Sequence, residues 1–172
     1  MVEFAVSLPL LVVFVVGIFD FGEAFNLKQK LNNVARESAR FASSLPTNDL
    51  SDTGNPPSII AIRDLVSSSL QASRVNDCGL ASQTGTNASP TWTYTASGNG
   101  CAGTLTLTIQ RQYAFLETVT GATNTINVIS THVSLSYPYG WRFSQVVKLV
   151  APTSNYKGVT QIVTDAVVPN TY

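Results

Sequence analysis

The chain has 172 residues, with ten Lys and Arg balancing ten Asp and Glu, and only 12% of its residues are charged. That balance leaves no large excess charge for nucleic acid or an anionic membrane surface, so nucleic acid is not expected as a partner. Low charge with abundant Thr, Ser, Asn and Gly after residue 43 is the composition of a secreted β-rich domain, and the length suits one modest domain carrying a long extension.

The first element is a helix predicted from Met1 to about Ser44, roughly 66 Å long. Between Phe4 and Phe19 it carries no charge. Met1 to Phe19 rises about 28 Å, close to the ~30 Å hydrocarbon core of a bilayer, so the segment is a candidate span. Pro9 is expected to kink or locally melt it, and Gly17 and Gly22 weaken it further. Lys28 and Lys30 follow the apolar run, and the positive-inside rule alone would hold the C-terminal side in the cytosol. A basic leader removed ahead of Met1 would resolve that conflict with an exported domain.

The second half of the same helix carries a stripe, Leu27, Leu31, Val34, Ser38, Phe41 and Leu45, flanked by Ala35, Ala39 and Ala42. It is expected to dock on a folded domain until Pro46 stops it. The organisation expected is therefore a membrane or filament-core helix over 1–45 and a surface-exposed α+β domain over 46–172.

After a loop at Thr47–Pro57, Asn55 is expected to cap a second helix that opens at Pro56 and runs to about Ser73, with Ile59, Ile62, Leu65, Val66 and Leu70 on its apolar face. The period then changes to two. Thr91–Ala96, Thr104–Tyr113, Ile126–Tyr137 and Val159–Val168 read as strands, with a bulge expected near Ile129 and Ser130, where the apolar phase shifts. A turn is expected at Pro138–Gly140, and Phe143, Val146, Val147 and Val150 have helical spacing. The stretches GTNAS (85–89) and SGNGCAG (97–103) read as turns, since neither follows a strand and opens a helix as a phosphate cradle must. The fold class expected is α+β: a long N-terminal helix packed on a small antiparallel sheet, with one or two additional helices.

Chemistry-bearing residues are few. His132 is the only histidine, no cluster has zinc or calcium spacing, and no nucleophile motif accompanies the serines, so no catalytic residue, metal or cofactor is expected. Cys78 and Cys101 suit one disulfide in an oxidising compartment, with two buried free thiols as the alternative. Asn87 heads a formal glycosylation sequon weakened by Pro90.

The charges of the first helix carry more. Asp20 and Glu23 have no basic residue three or four positions away. A parallel copy shifted by about 12 Å would bring its Lys28 beside Asp20, and a position in the headgroup region is the alternative. Glu3 stands at the front of the apolar run, where a carboxylate costs ~2.5 to 3.5 kcal/mol at the bilayer centre. A free α-amino group at Met1, its own or a neighbour's, is its natural partner.

These residues reach a known pattern. The opening MVEFAVSLP, then Gly17-Ile18-Phe19-Asp20-Phe21-Gly22 and Asn33-Val34-Ala35-Arg36-Glu37-Ser38-Ala39-Arg40, resemble the TadE-like pseudopilins of the tight-adherence branch of type IV pilus systems. Val133–Tyr139 resembles the family's C-terminal strand more weakly. The resemblance implies a prepilin held in the inner membrane, processed by a prepilin peptidase, and driven by an assembly ATPase and membrane platform into a bacterial cell-surface filament of identical copies. Glu3 would take the role of the family's acidic residue near the mature end. That residue usually lies at about the fifth mature position and here is the third, so either the cut site differs or residue 1 is not the mature end. Met1, Glu3, Pro9, Asp20, Glu23, Lys28 and Lys30 are the residues assigned to assembly. A filament subunit, major or minor, is the favoured reading. A single-span anchored periplasmic binding module is the alternative, and a membrane-tethered enzyme comes third.

Overall fold

The computed structural model describes residues 2–51, 54–88, 90–118, 125–144 and 158–171. Its architecture is α+β. Helix α1 spans Val2–Ser44 and helix α2 Pro57–Ala72. Short 3-10 turns lie at Asn48–Ser51 and Leu80–Ser82. The strands are β1 Thr86–Ala88, β2 Thr91–Ala96, β3 Leu105–Thr118, β4 Thr125–Gly140 and β5 Val159–Pro169. They form one antiparallel sheet in chain order, β1 to β5.

Period-two alternation puts Trp92 and Tyr94 of β2, Leu105, Leu107 and Ile109 of β3, and Val133 and Leu135 of β4 on the inner face, all fully buried. Thr93, Thr108 and Ser134 stand side by side on the outer face. Against the inner face lie α1, through Leu31, Val34, Ala35, Ala39 and Ala42, and α2, through Ile59, Ile62, Val66 and Leu70. Small alanines let α1 approach closely. Ala42 is fully buried while Phe41 keeps 38% exposure, so the smaller residue takes the innermost position, and Leu45 packs beyond it.

Several expectations are corrected. Helix α1 is continuous through Pro9, so the local melting expected there does not occur. Asn55 does not cap α2. Pro56 takes the cap position and Pro57 the first turn, so Ser58 supplies the first free N–H, and Asp49 accepts from both Ser58 N (2.8 Å) and Ser58 Oγ (3.1 Å). Asn55 instead accepts from Tyr94 Oη at 3.0 Å. The bulge lies on β3, where Gln110 pairs His132 but Tyr113 pairs Ser130, with Gln112 in the left-handed region at φ 61°. The extra residue on β3 answers the phase shift seen in β4. Strand β4 continues through Pro138 to Gly140, pairing Pro138 with Gln161; β3 pairs β4 only as far as Ser136, so the missing N–H costs no ladder bond on that side. The GTNAS stretch contains edge strand β1, which a three-residue run hides from any periodicity test. The helix expected over Phe143–Val150 falls mostly on 145–150, outside the described residues.

Cys78 and Cys101, 23 positions apart in sequence, are bonded, with Cα atoms 5.5 Å apart. The bridge ties the loop after α2 to the β2–β3 connection. Replacing both with serine should lower stability by about 3 kcal/mol, read as a fall in the denaturant midpoint with a steeper slope, because the unbridged unfolded chain exposes more surface.

Candidate assembly surface

The helix leaves its domain at the N-terminal side of Leu31. Leu11, Phe14, Ile18, Phe21 and Phe25 are each between 63% and 72% exposed. Core packing therefore stops at Leu27, roughly two turns after the uncharged run, and these five side chains are left largely uncovered by this chain.

One residue in that half points inward. Asp20 is only 3% exposed. Its Oδ1 accepts from Tyr139 Oη at 2.9 Å, its Oδ2 accepts from Phe143 N at 2.6 Å, and its carbonyl oxygen lies 3.1 Å from the same Tyr139 hydroxyl. The end of β4 thus closes on α1 as a clasp. Charge-assisted bonds of this kind are stronger than neutral ones. Burial, and then the bond to Asp20 and its charge, push the Tyr139 hydroxyl up to about 12. Trp141 packs its ring edgewise on Tyr139 at 5.0 Å and against Phe21 at 5.1 Å, and its indole N–H donates to Thr160 Oγ1 at 2.6 Å. Tryptophan with an apolar body and a satisfied N–H is well suited to this boundary.

Glu23, Lys28 and Lys30 also have partners within the chain. Glu23 Oε1 lies 3.3 Å from Arg142 Nη1, an exposed pair worth little by itself. Lys28 Nζ donates to the Val163 carbonyl, and Lys30 Nζ donates to the Ser73 carbonyl at 2.9 Å. Asn32 Oδ1 accepts from Thr164 Oγ1. A cross-copy pair between Lys28 and Asp20 would have to displace these bonds, and Asp20 would have to leave its clasp. The structure brings Asp20 and Glu23 together with Tyr139, Arg142 and Phe143; Lys28 and Lys30 belong to separate contacts further along the helix.

Met1 lies outside the described residues, as do the side chains of Glu3 and Pro9; the backbone of both is in α1. Among the described residues no helix is long and apolar enough to cross a membrane. The candidate span Met1–Phe19 includes Met1 and the side chains of 2–6 and 9–10, which lie outside that description. Asn87 is exposed on β1, opposite Trp92 of β2. His132 sits on the outer sheet face, 3.3 Å from Asp165 and tilted against Tyr113. Among the described residues no group of three or more His, Cys, Asp or Glu is placed to hold a metal ion.

Sequence reasoning missed Tyr139, Trp141 and Phe143. The signal available was the aromatic run Tyr137-Pro138-Tyr139-Gly140-Trp141 just past a strand, set against an acidic residue in an apolar helix with no local base.

The model of the family described as TadE-like protein matches residues 1–40. No curated protein and no solved structure matches the chain. The matched residues take in the apolar run, Asp20 and the stripe as far as Ala39, and it is over these residues, 1–40, that the chain is similar to the TadE-like proteins of tight-adherence pilus systems.

Proposed function

We propose that this chain is a structural subunit of a tight-adherence pilus, polymerising through the N-terminal half of α1 after prepilin processing and serving surface attachment. The observation that carries the reading is the unburied apolar stripe from Leu11 to Phe25, on a helix whose other end is built into the domain core. Such a helix is lipid-soaked before assembly and exchanges lipid for protein contacts in a filament. A contact repeated head to tail without closure gives a helical polymer. In this reading the uncovered N-terminal half of α1 forms the filament core, the domain that holds its second half forms the outer surface, and Glu3 neutralises the amino terminus of a neighbouring copy. The prepilin peptidase, assembly ATPase and membrane platform are its partners in assembly, the inner membrane its location before assembly and the cell surface after.

Glu3→Ala tests it. Loss of this chain from sheared surface material, with the protein still present in the membrane fraction, is the expected result. Unchanged surface polymer in the Glu3→Ala strain would remove the charge-pairing step. A wild-type chain that never leaves the membrane fraction would favour an anchored binding module.

A further inference from the structure

Two apolar stripes run along the outward side of α1. Leu8, Val12, Val15 and Phe19 form the first, and it ends there, since Gly22 and Asn26 follow on the same line. The second, Leu11, Phe14, Ile18, Phe21 and Phe25, steps by three, four, three and four, which is the seven-residue repeat of a helix–helix seam. It does not stop with the uncharged run. Phe21 and Phe25 lie beyond Asp20, at the level of the Glu23–Arg142 pair.

There the seam merges into a shallow, open apolar groove of about 600 Å³. Helix α1 contributes Phe21, Ala24, Phe25 and Lys28 to it, and the sheet side contributes Trp141 and Ile162, with Phe21 and Trp141 in contact at 5.1 Å to close its floor. The Lys28 ammonium already donates to the Val163 carbonyl, so the groove offers carbon and little else. A charged or strongly polar occupant would lose hydration there without compensation. Lipid accounts for the stripe that ends at Phe19. It does not account for one that continues beside ionised groups, which need headgroups or water around them.

The occupant that fits is an uncharged apolar rod with the same repeat, and this chain carries one between Phe4 and Phe19. We infer that the apolar half of α1 from a second copy lies along the shallow groove formed by Phe21–Phe25 together with Trp141 and Ile162. The inference rests on the filament reading and specifies which face of the helix meets which copy. Seating the middle of that run beside Phe21–Phe25 shifts the copy by about eleven residues, roughly 17 Å along the axis. The 12 Å shift that would pair Lys28 with Asp20 is not required, so the clasp stays closed in the polymer.

Cysteine cross-linking tests the groove in the full-length chain. Cells co-expressing a Phe25→Cys chain and a Leu11→Cys chain should give a covalent dimer in sheared filaments upon oxidation, at least tenfold more than a Leu11→Cys and Thr95→Cys pair. Should Phe25→Cys fail to be exported, Ile162→Cys on the sheet side serves in its place and is expected to cross-link likewise. Intact filaments with no cross-link above the Thr95→Cys control from either position would overturn the groove while leaving the filament reading standing. Absence of any pelletable polymer from the wild-type chain would overturn both.

Discussion

Replacing Asp20 with alanine should detach the end of β4 from α1 and cost on the order of 3 kcal/mol. The carboxylate accepts from Tyr139 Oη and from Phe143 N in a site that is 3% exposed, and removing it strands both donors. Amide exchange at Trp141, Arg142 and Phe143 should accelerate by about a hundredfold, while exchange in β2 and β3 stays near the wild-type rate. Asp20→Asn should recover part of the loss, because its carbonyl oxygen can still accept one bond. The pH dependence follows from Tyr139, whose hydroxyl is raised from 10.0 to about 12 by burial and by Asp20. A group with a raised folded pKa contributes stability that is complete below the unfolded value and is lost as pH rises through the folded one. The clasp should therefore hold to about pH 10 and open toward pH 12, and Tyr139→Phe should remove that alkaline transition. An Asp20→Ala chain with unchanged exchange around Trp141 would show that the clasp does not hold the β4 end.

Asp77→Ala should be the most damaging change in the disulfide-bonded region, at roughly 2 to 4 kcal/mol. Burial alone would raise this carboxyl. Bonds from Ser67 Oγ, Gly79 N, Gln71 and Asn99 outweigh burial and hold it below the usual value of 3.8. The shortest, from Ser67 Oγ, is 2.7 Å, and that from Gly79 N is 3.1 Å. Together they tie α2 to the loop that starts at Cys78. A depressed folded pKa contributes stability that is present above the unfolded value and disappears as pH falls through the folded one. Thermal denaturation of the wild-type chain should show an acid loss below about pH 4 that Asp77→Asn lacks. Equal acid sensitivity in the two proteins would assign that loss to other carboxylates.

The contrast between these carboxylates shows what was legible in the sequence. Elements with a long, clean period were readable from residues alone: α1 from its apolar run and stripe, α2 from Ile59 to Leu70, and β2, β3 and β5 from alternation. Features set by contacts between distant residues were not. Asp20 and Tyr139 are 119 positions apart, and no local pattern links them; the lack of a nearby base pointed to a missing partner and was read as a neighbouring copy. The Asn55 cap failed for a similar reason, because two prolines moved the first free N–H to Ser58 and Asp49, nine positions earlier, answered it. Phe41 fitted a step of three and four, yet Ala42 is fully buried and Phe41 only in part, since close approach of α1 favours a small side chain. The bulge was placed by the phase of β4, while the inserted residue is on β3, because a register shift shows its phase change on both strands but its extra residue on one.

Fractionation of wild-type cells is the most direct test of the central claim. Surface material is sheared off, pelleted at high speed, imaged for filaments and quantified for this chain against the membrane fraction. The account predicts filaments in which this chain is present as a repeating subunit, lost on Glu3→Ala. A chain that remains with the membrane fraction, with filaments that lack it, would contradict the account.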